Sequence, residues 1–506
     1  MLSYENLSAA ERRVWDAFPE GRRVDLRTGT PEDDDPAGGH AWPADRTVRA
    51  AVLAALLLGD GQRHQGAVPA LRLTGARITG PIDLSGAEVP HALWLADCHL
   101  DEDISLYGAT VRSIGVAGSR ATRIDARMAR IEGRLDLRWS AFTGTLDLAN
   151  AHIAAELVLD GAEIAVSDTW AVNAGGLVMG GGIWCRKGFT ARGGISMPGA
   201  TMPGGLFLRE AHLDNPRGIA LCAENATAST MDFRDGFTAH GTVDLSGAQI
   251  TGPLRFGGAV LHGDTQLPHG GTALNATRTQ AGALEFTPAL PPSGAVDLRG
   301  AHVDVLHDRP DSWPRIVHLQ GLVYGTLQSA DEGPPRARRA RHEVDRRLAW
   351  LRREPAYVPQ PYEQLASWYR TVGHDDDARR VLLAKQRHRR ATMGAGGRVW
   401  SHVLDATVGF GYRPWLAGLW LLALTLLGTA VFSGGSPHAA QPGDGPPFNP
   451  LVYALDLLIP IGGLGQRDAW YWTGGLTQGV SYALIGMGWI LTTAVVAGVT
   501  RTLNKT

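Results

Sequence analysis

LRLTGARITGPIDLSGAEVPHALWLADCHLDEDISLYGAT (Leu71–Thr110) carries two aliphatic residues one position apart, over and over. Leu71/Leu73 is followed by Ile82/Leu84, Leu93/Leu95 and Ile104/Leu106, each pair 11 positions after the last. The phase slips by one at Ile114/Val116, and the spacing of 11 returns at Leu135/Leu137, Leu146/Leu148 and Leu157/Leu159. Most pairs are followed by a small residue and another aliphatic: Ala76 and Ile78, Ala87 and Val89, Ala109 and Val111, Ala151 and Ile153, Ala162 and Ile164. Residues i and i+2 of a strand face one side, so Ile82 and Leu84 point inward together and Asp83 points out. Ser85-Gly86 supplies a turn, and Ala87/Val89 a second short strand. A lone unit cannot bury its apolar side, whereas stacked units can. Two units, 22 residues, make one four-sided coil, and alanine fits where inward side chains crowd a narrow interior. The absence of a 3.6-residue period argues against a helical solenoid.

Working outward, the repeat weakens between Ser167 and His240 and sharpens again over Val243–Leu261 and Ala295–Val303. At ~22 residues per coil, Val68–Gln328 holds roughly a dozen coils, a rod about 55–60 Å long at ~4.8 Å per layer. Units such as ARITGPIDLSG and ANAHIAAELVLDGA resemble divergent pentapeptide-repeat proteins, with a spacing of 11 in place of 10. The resemblance covers about half the chain and implies a right-handed, four-sided β-helix; it implies architecture and no activity.

The 506 residues exceed one ordinary core, and a net charge of −2 selects no partner. The 64 glycines suit many tight turns. Cys98, Cys185 and Cys222 lie far apart, outside any C-x-x-C pair, and read as buried thiols in a reducing compartment. The N-terminal stretch lacks the apolar core of a signal peptide, which predicts a cytoplasmic start. Ala41–Gly59 reads as a helical cap over the first coil, with Asp45 opening the helix and Val48, Val52, Leu53, Leu56 and Leu57 forming its apolar stripe. The acidic Pro31–Gly39 reads as a solvated loop. The organisation expected is a cap over residues 1–66, the β-helix over 67–330, a basic helical neck over 334–398 and a membrane region over 399–506.

In the neck, Arg336–Arg353 is a strongly basic helix. Tyr362, Leu365, Ala366 and Tyr369 form one helical face, Gly373 ends that helix, and Asp375, Asp376 and Asp377 suit the next helix's N-terminus. The pair resembles a single tetratricopeptide-like unit. Two uncharged runs follow, at about 415–432 and 476–499, each the length of a transmembrane helix. Arg387, Arg389, Arg390, Arg398 and Arg413 crowd before the first, and Arg501 and Lys505 follow the second. The positive-inside rule then places both termini in the cytoplasm at the inner membrane, with the basic neck facing lipid headgroups. Nucleic-acid binding is not expected, since no base-reading motif accompanies these arginines. Ala494 and Gly498 are spaced for close helix contact. Between the runs, Phe448–Trp472 is an interfacial or re-entrant segment, with Trp470, Tyr471 and Trp472 suited to an aromatic belt. Two spans around a dipping loop resemble the pore module of two-span cation channels, although I-P-I-G-G-L-G stands where those carry T-V-G-Y-G. On that resemblance Asp456, Pro460, Gly462, Gly463, Gly465 and Asp468 are the pore or loop candidates, the two aspartates as a charged ring in an oligomer.

An enzyme finds little support. G-x-G-x-x-G in strand–helix context, G-x-S-x-G, H-E-x-x-H and the P-loop are all absent. Similar chains are sometimes labelled membrane-associated oxidoreductases, but no cofactor motif backs that label, and no cofactor or catalytic residue is expected. Asp83, Asp136, Asp147, Asp244 and Asp297 recur at the outward position and read as a solvated acidic face rather than a polysaccharide-cleaving stripe. His302, Asp304, His307 and Asp308 form a loose cluster that reads as no metal site. The sequence thus points first to a non-catalytic scaffold or sensor that engages membrane lipids and a protein partner or its own copies. The alternatives are an oligomeric channel and a membrane-associated enzyme.

Overall fold

The computed structural model describes residues 3–60, 66–166, 170–263, 271–329, 337–408, 415–441, 446–460 and 462–503. The chain divides into two compact units, Met1–Gln364 and Leu365–Thr506.

The first unit is a β-solenoid of about 11 turns. One coil runs through four short strands, Arg77–Thr79, Ile82–Asp83, Glu88–Val89 and Ala92–Ala96. Each pairs in parallel with its counterpart one coil on: Arg77 with His99, Ile82 with Ile104, Glu88 with Thr110, Leu93 with Ile114. Four parallel ladders therefore run along the solenoid. Leu71, Leu93, Ile114, Leu135 and Leu157 stand in one inward column, so the phase slip around Ile114 reflects two successive coils, each one residue shorter, whose core stays in line. No aliphatic of the quoted pairs is more than 2% exposed, and full burial of each contributes roughly 1.5–3 kcal/mol.

Two corners of each coil are β-turns. The Leu84 carbonyl accepts from the Ala87 amide at 3.1 Å around Gly86, whose φ is 65°. Met128, Trp139 and Asn150 occupy equivalent corners with φ of 58°, 59° and 56°. L-residues disfavour that conformation, so stacking on the neighbouring coils imposes it. In the last coils two sides join into continuous strands, Gln280–Phe286, His302–Asp308 and Val323–Ser329, paired along their length.

Both ends are covered. At the start, α1 (Ala9–Ala17) opens with a Ser8/Glu11 capping box, and Glu11 also grips Arg49 at 2.7 Å. Val24–Asp25 and Thr47–Arg49 pair with the first coil. Behind them α2 (Ala50–Ala55) and the turn after it bury Val48, Val52, Leu53, Leu56 and Leu57 completely. Asp45 does not open this helix. It lies in the short turn Ala44–Arg46, because Thr47–Arg49 is spent as a strand.

At the far end α3 (Ala337–Leu351) inserts Val344, Arg347, Leu348, Trp350 and Leu351. Trp350 continues an internal aromatic column. Phe233–Phe256, Phe256–Phe286, Phe286–Trp313 and Trp313–Trp350 have centroids 5.0, 5.9, 4.2 and 5.5 Å apart. Beside it Asp308 and Arg347, both fully buried, pair at 2.7 Å, and Trp313 Nε1 donates to Asp308 at 2.6 Å. The following chain quenches the last coil's open edge. Glu354 accepts from the Leu319 amide at 2.6 Å, and Gln360 accepts from the Gly321 amide at 2.9 Å and donates to the Leu322 carbonyl at 3.0 Å. Gln364 donates to the Tyr324 carbonyl at 2.7 Å.

α4 (Gln360–Thr371) crosses the division between units. Tyr362, Leu365, Ala366 and Tyr369 are buried, and Gly373, with φ of 81°, separates α4 from α5 (Asp375–Arg390). The second unit continues with α6 (Ala395–Val408), α7 (Trp415–Phe432), α8 (Pro450–Leu458), α9 (Gln466–Ala469) and α10 (Gly475–Leu503). Helices thus stand where the two apolar runs were read. Among the described residues, however, no helix is long and apolar enough to cross a membrane. The 18 residues of α7 rise about 27 Å, and the first half of α10 dilutes its aliphatics with Gly479, Ser481, Gly486 and Gly488.

Candidate functional site

The pore and loop candidates lie on and after α8. Pro450 starts the helix, and the Asn449 side chain accepts from the amides of Leu451 and Val452 at 3.0 and 3.3 Å. α8 packs on both α7 and α10 through Tyr453, Ala454, Leu457 and Leu458, which share a core with Leu424, Phe432 and Leu484. Two glycines make room. A Cβ on Gly488 would run into the backbone of Leu458, and one on Gly428 would meet Ala454 and Leu484.

Past α8 the chain reverses at Gly462 and Gly465, with φ of 88° and 78°. Asp456, 0% exposed, holds this reversal. One carboxylate oxygen accepts from the Leu464 amide, the other from the amides of Gln466 and Arg467, all at 2.8 Å. Gln466, also buried, accepts from the Asn449 amide and donates to the Pro447 carbonyl. Both oxygens of Asp456 are thus spent on its own turn. Asp468 is an exposed carboxylate with Arg467 3.8 Å away. Gly462, Gly463 and Gly465 are exposed, and Pro460 is half-buried. Trp472 is buried against Phe432 at 5.6 Å, while Trp470 is half-buried and Tyr471 exposed, so the three do not form one belt.

The basic neck is only partly free. Asp405 on α6 pairs with Arg387 at 3.0 Å and Arg390 at 2.7 Å, tying α5 to α6. Burial opposes the Asp405 charge, but the two guanidiniums outweigh it and hold the carboxyl below its usual range. Arg389 and Arg398 are exposed. Arg413 lies outside the described residues, and the surroundings of Ala494 and Gly498 on α10 are likewise outside them. Gly428 and Gly488 also stand at close helix contacts.

Of the five outward aspartates of the solenoid, Asp83 is exposed, Asp244 is half-buried and the other three are buried. Asp136, Asp147 and Asp297 are 5–8% exposed. All five accept from the amide two residues on, as at Asp83–Ser85 (3.0 Å), Asp244–Ser246 (2.9 Å) and Asp297–Arg299 (3.0 Å). Asp136 and Asp297 also pair with Arg138 and Arg299, both at 2.5 Å. These carboxylates pin the corners. Sequence reasoning passed over the signal, a recurring D-x-R at 125–127, 136–138, 232–234 and 297–299. The histidine cluster separates, since Asp308 turns inward to Arg347. Among the described residues no group of three His, Cys, Asp or Glu is placed to hold a metal.

No protein-family model matches the chain, and neither a curated protein nor a solved structure matches it. Function therefore rests on the geometry alone. That geometry joins Asp456 to the turn that follows α8 and packs α8 on α7 and α10, with Asp468 beside Gly463 of the same turn.

Proposed function

We propose that the chain is a membrane-attached scaffold or sensor in which the helical unit seats in lipid and the solenoid offers its sides to a partner. The observation that carries this reading is the apolar exterior of α7 and α10. Leu419, Trp420, Leu422, Leu426 and Leu427 on α7, and Leu476, Met487, Trp489 and Ile490 on α10, are 37–75% exposed. Such a surface in water marks an interaction or membrane site. The hydroxyls on these helices support lipid as the surroundings. Thr425, Thr429, Ser481 and Thr493 each donate to the carbonyl four residues back, so these four hydroxyls keep their donors within the helix. On this reading the membrane crossing is a property of α7, α8 and α10 together rather than of one helix. The Lys/Arg distribution puts both termini on the cytoplasmic side. The solenoid supports the scaffold half: its ends are covered, so its four sides remain for contact, wound right-handed as parallel crossovers are. A partner protein or a second copy is the expected occupant.

Vesicle flotation tests this. The full chain is expected to float with liposomes and to resist carbonate extraction, and Leu426→Arg with Ile490→Arg to abolish both. A chain that is monodisperse in buffer without detergent and stays with the aqueous fraction overturns the reading. The packing of α8 and its glycine turn between α7 and α10 favours a channel as the second reading, for which liposome ion flux and an oligomeric mass are required.

A further inference from the structure

Four outward side chains line up across neighbouring coils on one ladder of the solenoid. Arg192 stands beside Asp214, Asp214 beside His240 and His240 beside His262, each at the same register of its parallel strand. The two imidazoles adjoin, with ring centroids 5.1 Å apart and planes inclined by 39°. Both are open to solvent, His240 with 48% of its side chain exposed and His262 half-buried. Asp214 Oδ1 lies 3.4 Å from His240 Nδ1. Two residues back on the same strands, Thr238 and Val260 carry no charge. Arg192, the cation of the column, sits beyond Asp214 and has Glu163 3.8 Å away.

Imidazole is the commonest metal ligand among side chains. Two imidazoles on one tetrahedral ion, with metal–nitrogen bonds of about 2.0–2.1 Å, have ring centroids about 5 Å apart. The strand ladder already holds His240 and His262 at that separation. Asp214 adds an orienting group, because a carboxylate beside Nδ1 favours the tautomer that leaves Nε2 free for a metal. The position also gives an ion something to do. The ladder loses register just past Asp214: Asp214 pairs with His240, but the next pairing is Ile219 with Thr242, so the strand that carries Asp214 holds extra residues there. We infer that His240 and His262 bind a divalent transition-metal ion of the zinc class, with Asp214 as positioning residue, and that the ion staples two coils beside this irregularity. Among the described residues no third His, Cys, Asp or Glu is placed to complete the set, so water fills the remaining positions and the ion is exchangeable. The inference does not depend on membrane attachment.

The full chain in detergent, stripped with a chelator and dialysed free of it, tests this with Zn²⁺ alone as probe. Calorimetry is expected to show binding, and binding to raise the thermal midpoint. Mg²⁺ and Ca²⁺, which prefer oxygen ligands, are expected to do neither at the same concentration. His240→Ala and His262→Ala are each expected to abolish the midpoint rise, and Asp214→Asn to weaken binding roughly 10–100-fold. These side chains reach solvent, so the metal-free midpoint of all three variants is expected to match that of the unaltered chain. The chain has 17 histidines, and His152→Ala, at an exposed histidine on another ladder, is expected to leave the Zn²⁺ response intact. A Zn²⁺ response unchanged in both the His240 and His262 variants, an equal loss in His152→Ala, an equal midpoint rise with Mg²⁺, or no Zn²⁺ binding overturns the inference. An Asp214→Asn variant that binds Zn²⁺ as tightly as the unaltered chain overturns the positioning role.

Discussion

The solenoid and the helical unit handle apolar side chains in opposite ways. In the solenoid every coil hides its aliphatics against the next, and large apolar residues surface singly, as at Tyr107, Met128 and Trp139. In the helical unit a small core around Phe432, Tyr453 and Leu457 is ringed by leucines and tryptophans that face outward. The difference lies in where each unit finds its apolar partner: the first finds it in its own neighbouring coil, the second leaves half of it to its surroundings. The solenoid's stability is thus internal, and that of the helical unit depends on its medium.

Three experiments break or sharpen that contrast. The largest effect is expected at the solenoid's far end. Arg347→Ala leaves Asp308 as an uncompensated buried charge and should cost about 3–5 kcal/mol in denaturant unfolding, while replacing Arg347 and Asp308 together by apolar residues of similar volume should restore most of it. Equal losses in the single and double variants would mean that packing, not charge, is what the pair provides. Next, Leu148→Ala in the solenoid should cost about 2–5 kcal/mol, and Leu427→Ala on α7 less than about 0.5 kcal/mol in detergent. Similar costs at both sites would erase the distinction between interior and exterior leucines. The smallest effect is acid loss. The Arg127 guanidinium holds Asp125 below its ordinary value, and Arg234 and Arg209 do the same for Asp232 against the opposing effect of burial. A carboxyl whose folded pKa is depressed stabilises above its unfolded pKa and loses that contribution as pH falls through the folded value. The solenoid's melting midpoint should therefore be flat from about pH 7 to pH 5 and fall below about pH 4, with a shallower fall in Asp232→Asn.

The repeat was legible because one physical rule, inward alternation every coil, leaves the same mark many times over. The slip at Ile114 and the weak stretch before His240 did not hide it, since pairing tolerates coils of unequal length. The ends were harder to read. Arg347 and Trp350 sit in a run of arginines that looks like a solvated helix, and only Asp308 and Trp313, more than thirty positions earlier, explain their burial. Glu354, Gln360 and Gln364 likewise gain meaning only against the backbone of a coil distant in sequence. Among the pore candidates, spacing located the turn but not the state of Asp456, because three amide donors contributed by the backbone leave no trace in side-chain identity.

Asp456 also sets what the glycine reversal is able to do. Three convergent amides form a pocket for negative charge, the kind of nest that elsewhere captures an anion from solution. Here the chain supplies that charge from its own preceding helix, so the pocket is filled from the moment the segment folds, and the bend keeps its form whatever ions the surrounding medium carries.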